Sequence, residues 1–186
     1  HLNDDDMEIL AKNGVGVAHN PQCNMKLANG VAPIPQLLSL GIAVGIGTDG
    51  VASNNDLDMF DEMRSSALSH KLNSGDPTTM NAREVFYAAT AGGARLLGME
   101  KLTGSIEIGK QADLVLVNTR QPHAFPWYNI YSQIVYSLKS TDVDTVMVGG
   151  KILMKEGRLL TINQEALYDD IMMIARDIGA ESPANA

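Results

Sequence analysis

Cysteine is nearly missing from this 186-residue chain. Cys23 stands alone, so no internal disulfide framework is open to it, and the composition suits a reducing, cytoplasmic compartment. Also missing is any cluster of Lys and Arg larger than a pair. Fourteen basic residues face 22 acidic ones, a formal net charge of −8, which argues against a nucleic-acid or anionic-membrane partner. No apolar run approaches the length of a membrane span, and no signal-peptide pattern is present. There is no internal repeat and no low-complexity tract. What remains, at 45% hydrophobic and 19% charged residues, is ordinary for a globular protein of one domain, or of one domain and part of another.

Turning to what is there, the chain opens on His1 without an initiator Met and runs directly into a helix signal. Asn3 is placed to cap "DDDMEILAKNG", with acids in the first turn and Gly14 at the stop. That opening reads as the continuation of a longer polypeptide. "VGVAH" (15–19) is a short strand, followed by the polar loop "NPQCNMKLANG" and a short helix in "APIPQLLSLG". "IAVGIGTD" (42–49) is a second buried strand. "NNDLDMFDEMRSSALSHKL" has a helical apolar face, its helix beginning near Asp56, and "MNAREVFYAATAGGARLLGM" is a helix interrupted or capped near Gly92 and Gly93. Continuous apolar strands alternating with helices indicate a parallel α/β layer covered on both faces.

The pattern changes after Leu102. "GSIEIGKQADLVLVN" carries two strand-like runs around a Gly-Lys-Gln turn, and "DTVMVGGKILMKEGRLL" reads as a hairpin at Gly149-Gly150 with a second turn at Glu156-Gly157. "TINQEALYDDIMMIARDIG" begins with Thr161 and Gln164 in capping-box spacing and sets Leu167, Ile171, Ile174 and Ile178 on one stripe. The tail "AESPANA" is expected to fray.

Two strand ends draw the chemistry. Parallel β/α proteins carry their functional groups at the C-terminal ends of strands. Those ends here are "AHNP" (18–21) and "GTDG" (47–50). Asp is depleted in strands, so Asp49 is either a turn-forming residue or a chemical one. His19 has a similar alternative, as a hydrogen-bonded turn residue before Asn-Pro. Asn54 and Asn55 have one as caps of the following helix, and Cys23 as a small buried hydrophobe.

The segment "AHNPQCNMKLANGVAPIPQLLSLGIAVGIGTDGVASNNDLDMF", with "GSIEIGKQADLVLVN" and "VMVGGKILMKEGRLL" after it, resembles the amidohydrolase superfamily. The likeness is to its cytosine-deaminase-like branch, near the methylthioadenosine/S-adenosylhomocysteine deaminases and triazine chlorohydrolases. The resemblance implies an α/β fold in three parts. Residues 1–102 would be the C-terminal part of a metal-dependent (β/α)8 barrel, 103–160 part of a small β-sandwich, and 161–186 a C-terminal helix and tail. "IAVGIGTD" corresponds to the eighth barrel strand, whose terminal Asp binds a divalent metal and handles the proton of the metal-activated water. That role, metal ligand and catalytic residue together, falls on Asp49. His19, Ser53 and Asn54 are expected on the substrate side, and Lys26, Trp127, Tyr128, Tyr131 and Tyr136 in structural or interfacial roles.

The implied cofactor is one divalent ion, zinc or alternatively ferrous iron. The implied reaction is deamination of an adenosine-type thioether nucleoside, with a triazine (chloro)hydrolase, a guanine deaminase or a catalytically inactive binding scaffold as the alternatives. The family's His-x-His pair, its fifth-strand His and its sixth-strand catalytic His have no counterpart here. His1 matches a second, lesser His and is not counted as a ligand. The resemblance therefore implies activity only together with an N-terminal half, in a homo-oligomer.

Overall fold

The computed structural model describes residues 2–179. The helix α1 (Asp4–Lys12) starts as its sequence dictates. The Asn3 side chain accepts the Asp6 amide at 2.8 Å, and the Asp6 carboxylate accepts the Asn3 amide at 3.0 Å. This reciprocal cap satisfies donors that the first turn leaves unpaired. The strands β1 (Val17–His19) and β2 (Val44–Ile46) then pair in parallel, with Val17 opposite Val44, Ala18 opposite Gly45 and His19 opposite Ile46.

Between them lie α2 (Pro21–Lys26) and α3 (Ile34–Ser39). The first of these corrects the sequence reading of 20–30 as a loop: Pro21 takes the first helical position, where its missing N–H costs nothing. A single-turn helix α4 (Val51–Asn54) likewise interrupts the expected loop after β2. The next helix, α5 (Met59–Ser74), begins three residues later than expected. Its cap is Asp58, which accepts the amides of Phe60 at 2.8 Å and Asp61 at 3.3 Å. Gly75, at φ +68, closes it in the left-handed conformation that glycine adopts without strain.

α6 (Ala82–Tyr87) passes through a π-helical turn (Ala88–Gly92) into α7 (Gly93–Leu96). The interruption expected near Gly92 and Gly93 takes the form of this π-helical turn, not of a chain break. Both glycines keep helical angles, and their role is contact. A Cβ on Gly92 would lie 2.8 Å from the carbonyl oxygen of Val44, and one on Gly45 would lie 3.0 Å from the Cα of Gly93.

The main core joins Met7, Ile34, Leu37, Val44, Met63, Ala67, Val85 and Val135. Val135 belongs to a second π-helical turn (Gln133–Ser137), which follows the short α8 (Ile130–Ser132) and packs back on α5 and α6. Tyr131 on α8 stands 5.7 Å from the Phe86 ring centroid.

A separate antiparallel sheet runs β3 (Leu114–Val117), β4 (Val143–Val148), β5 (Lys151–Lys155) and β6 (Arg158–Leu159) in that order. Gly149 and Gly150 turn β4 into β5 as expected, both at positive φ. The first of the two runs expected around Gly109 is not a strand. Ile106 lies exposed in irregular chain and Ile108 in a turn, without ladder partners to hold them extended.

α9 (Gln164–Asp177) is capped by Asn163, which accepts the Ala166 amide at 3.3 Å, in place of the Thr161–Gln164 box. Its stripe of Leu167, Ile171, Ile174 and Ile178 is exposed. His1 and the tail 180–186 lie outside the described residues. Among the described residues no helix is long and apolar enough to cross a membrane.

Candidate functional site

Pairing of β1 with β2 brings their C-terminal ends side by side, and the Gly47 amide donates to the His19 carbonyl at 2.9 Å. One strand end feeds α2 and the other feeds Gly47–Gly50 and α4. The two loops meet at Asp49.

The Asp49 side chain is exposed, and its backbone has φ +61. A non-glycine residue there costs about 1–2 kcal/mol, although Asp tolerates the region better than most. Its Oδ1 accepts the Gly50 amide at 2.7 Å, and its Oδ2 accepts the Cys23 thiol at 3.0 Å. The Thr48 hydroxyl donates to the Asp49 carbonyl at 3.0 Å. The Cys23 thiol and the Gly50 amide together hold the Asp49 carboxyl below its ordinary range, so it is ionised at neutral pH. The same bond to Asp49, with burial, raises the Cys23 thiol. Cys23 is buried as expected, but it is also polar-bonded to the one residue that matters most here.

Ser53 lies at the rim, half-buried, its hydroxyl donating to the Gly50 carbonyl at 2.9 Å. Lys26, exposed beside it on α2, reaches the Asn55 side-chain oxygen. Asn54 is 7% exposed. Its amide nitrogen donates to the Thr48 carbonyl at 2.8 Å and to Glu62 Oε1 at 2.6 Å. Glu62, on α5, is 0% exposed, and its Oε2 accepts the Gln22 amide at 3.2 Å. Burial raises the Glu62 carboxyl, against the pull of the Gln22 and Asn54 donors.

His19 is 2% exposed, and its Nε2 faces Nε2 of His70 at 3.1 Å. Desolvation, with the neighbouring His70 adding to it, lowers the His19 imidazole to about 3. His70 is lowered in the same direction, chiefly by burial. So of the four expected site residues, Asp49 is exposed and Ser53 half-buried, while His19 and Asn54 are buried and spend their bonding on α5 and the Thr48 carbonyl.

Glu62 and His70 escaped the sequence reading. A signal for them existed: Glu62, Ser66 and His70 recur at four-residue spacing, a buried polar stripe beside the apolar Met63–Ala67 face.

The Asp49 carboxylate suits a divalent cation as one ligand, being ionised, exposed and an oxygen donor. It is not a complete site. Among the described residues no three His, Cys, Asp or Glu side chains gather to hold a metal.

Comparison with known proteins bears on this geometry. The model of the amidohydrolase family matches residues 1–153. The 5-methylthioadenosine/S-adenosylhomocysteine deaminase of Desulforudis audaxviator is 52% identical over 176 residues, covering 95% of this chain and 41% of its own length. The 5'-deoxyadenosine deaminase of Methanosarcina acetivorans is 44% identical over 183 residues, covering 98% of this chain and 42% of its own. Among solved structures, an adenosine deaminase from Xanthomonas campestris with bound zinc superposes at a TM-score of 0.92 with 38% identity, over 96% of this chain and 40% of that one. The chain thus spans about two fifths of the length of the relatives it matches.

Proposed function

Because this chain belongs to the amidohydrolase family, we propose that it forms part of a zinc-dependent hydrolytic deaminase acting on an adenine nucleoside altered at its 5' carbon, such as methylthioadenosine or S-adenosylhomocysteine. The observation that carries the reading is the ionised carboxylate of Asp49, exposed three residues beyond the end of β2. The substrate class follows from what the names of its relatives share, an adenine base on a ribose modified at C5'.

In this reading Asp49 is one ligand of the ion, and the other donors come from sequence beyond the residues gathered here. The relatives, more than twice as long, have room for them. A bound zinc ion would supply a water activated for attack at neutral pH. The Asp49 carboxylate would accept a proton and hand it to the amine leaving ring C6. Water and the aminopurine thereby become the 6-oxopurine and ammonia. Ser53 shapes the rim of the substrate mouth, while His19 and Asn54 support it from behind. The division into barrel part (1–102), sandwich part (103–160) and terminal helix (161–186) is proposed with it.

The test, on the zinc-loaded enzyme of which this chain forms part, is ammonia release from methylthioadenosine, S-adenosylhomocysteine, 5'-deoxyadenosine and guanine and chloride release from a chlorotriazine, with bound metal measured in parallel. Turnover of the adenine nucleosides is expected. Rapid turnover of guanine or the triazine alone overturns the substrate, and metal-free protein with full activity overturns the mechanism.

A further inference from the structure

Both loops that touch Asp49 hang on a single buried carboxylate. Glu62 lies in the first turn of α5, fully buried, and no Lys or Arg is among its bonding partners in the described residues. A carboxylate taken out of water without a cation is costly unless its oxygens are filled. Here one oxygen accepts the backbone amide of Gln22, at the start of α2, and the other accepts the side chain of Asn54, at the end of α4.

The Asn54 amide nitrogen has two hydrogens and spends both on acceptors, the Glu62 carboxylate and the Thr48 carbonyl. The Thr48 carbonyl can only accept, so the orientation of the amide is forced. Thr48 immediately precedes Asp49, whose left-handed backbone persists only where its surroundings fix it. From the other side, α2 carries Cys23, the donor to Asp49 Oδ2.

We infer that Glu62 is the positioning residue of the Asp49 site, holding the Thr48 carbonyl through the side-chain amide of Asn54 and the Cys23 donor through Gln22. This rests on the reading of Asp49 as the catalytic carboxylate. Glu62 does not touch the substrate; it sets where the Asp49 oxygens point. A displacement of a reacting group by about 1 Å is enough to cost on the order of 100-fold in rate.

The substitution Glu62→Gln tests this with little change of volume. The introduced amide oxygen can keep the Gln22 bond, but its NH2 group then faces the NH2 of Asn54. Asn54 either turns over, presenting oxygen to the Thr48 carbonyl, or keeps Thr48 and leaves two donors opposed. In both cases the link from residue 62 to Thr48 is broken. Combining Glu62→Gln with Asn54→Asp restores a bond between 62 and 54 and still provides no donor for Thr48.

In the zinc-loaded, active protein, Glu62→Gln is expected to lower kcat at least about ten-fold with KM within about two-fold of the parent. The double variant is expected to regain the melting temperature lost by the single one without regaining kcat. Wild-type kcat in Glu62→Gln, or recovery of kcat together with melting temperature in the double variant, overturns the inference. If the single variant does not fold, Asn54→Ser, which offers one donor to two acceptors, carries the same expectation for kcat and the same refutation. Asp49→Asn is measured alongside. If it stays active, the reading of Asp49 itself falls; if it is inactive while Glu62→Gln is unimpaired, only the positioning role falls.

Discussion

His19 on β1 and His70 on α5 meet Nε2 to Nε2 at 3.1 Å, both buried, and Nδ1 of His19 has no hydrogen-bond partner among the described residues. Only one of the two nitrogens can carry the shared proton, so the pair is stable with both rings neutral. Charging either ring sets a cation in a site that has just one acceptor for it.

The pair therefore predicts acid lability. The folded-state imidazole of His19 lies at about 3, against 6.5 for the free side chain, and His70 is lowered too. Between those values the unfolded chain binds more protons than the folded one, so stability is full above pH 6.5 and falls as the pH drops toward 3. The slope is on the order of 1 kcal/mol per pH unit. Denaturant midpoints measured from pH 7.5 to 4.5 should fall steadily, and His70→Phe should flatten that dependence. A midpoint independent of pH contradicts the neutral pair.

If Asp49 is the metal ligand and proton carrier proposed above, Asp49→Ala in the enzyme of which this chain forms part lowers turnover by about three orders of magnitude or more and reduces bound zinc. The far-ultraviolet circular dichroism should stay unchanged, because the side chain is exposed and outside the core. Near-parental turnover would remove Asp49 from the chemistry.

Cys23 should behave as an unreactive thiol. Burial and its bond to the Asp49 carboxylate both raise it, leaving little thiolate at neutral pH. Ellman's reagent is expected to react slowly with the folded protein and at once after denaturation. Asp49→Ala should speed the folded-state reaction, since it removes the acceptor.

The close passage of the π-helical turn (Ala88–Gly92) over β2 gives a purely structural test. Gly92→Ala drives a methyl to within 2.8 Å of the Val44 carbonyl, whereas Gly50→Ala meets nothing within 4 Å. The first substitution should cost about 1–3 kcal/mol and the second well under that, read from chemical denaturation. Equal costs would mean that the helix does not sit at this distance from the strand.

Much of the frame was legible because its signals are local. Asn3 and the Gly149-Gly150 turn each act within a few residues of themselves, and each appears where the sequence put it. Asp49 at the strand end was legible for the opposite reason, as a residue out of place in an apolar run. What stayed hidden was relational. Pro21 and Val51 open helices too short for periodicity to register. The bond from Glu62 to Gln22 spans 40 positions and the one from His19 to His70 spans 51, separations at which spacing carries no information. Ile106 and Ile108 misled because alternating apolar residues look the same whether or not a partner strand exists.

The left-handed backbone at Asp49 makes this position a place where durability and activity are opposed. Glycine suits φ +61 better than any residue with a Cβ. Of two variants that both lack the carboxylate, Asp49→Gly should therefore outlast Asp49→Ala by about 1 kcal/mol. Selection for thermal robustness alone would favour glycine at residue 49. On the proposed reading, the carboxylate at residue 49 is kept at the expense of that preference, and the bonds from Gly50 and Cys23 fix where it points.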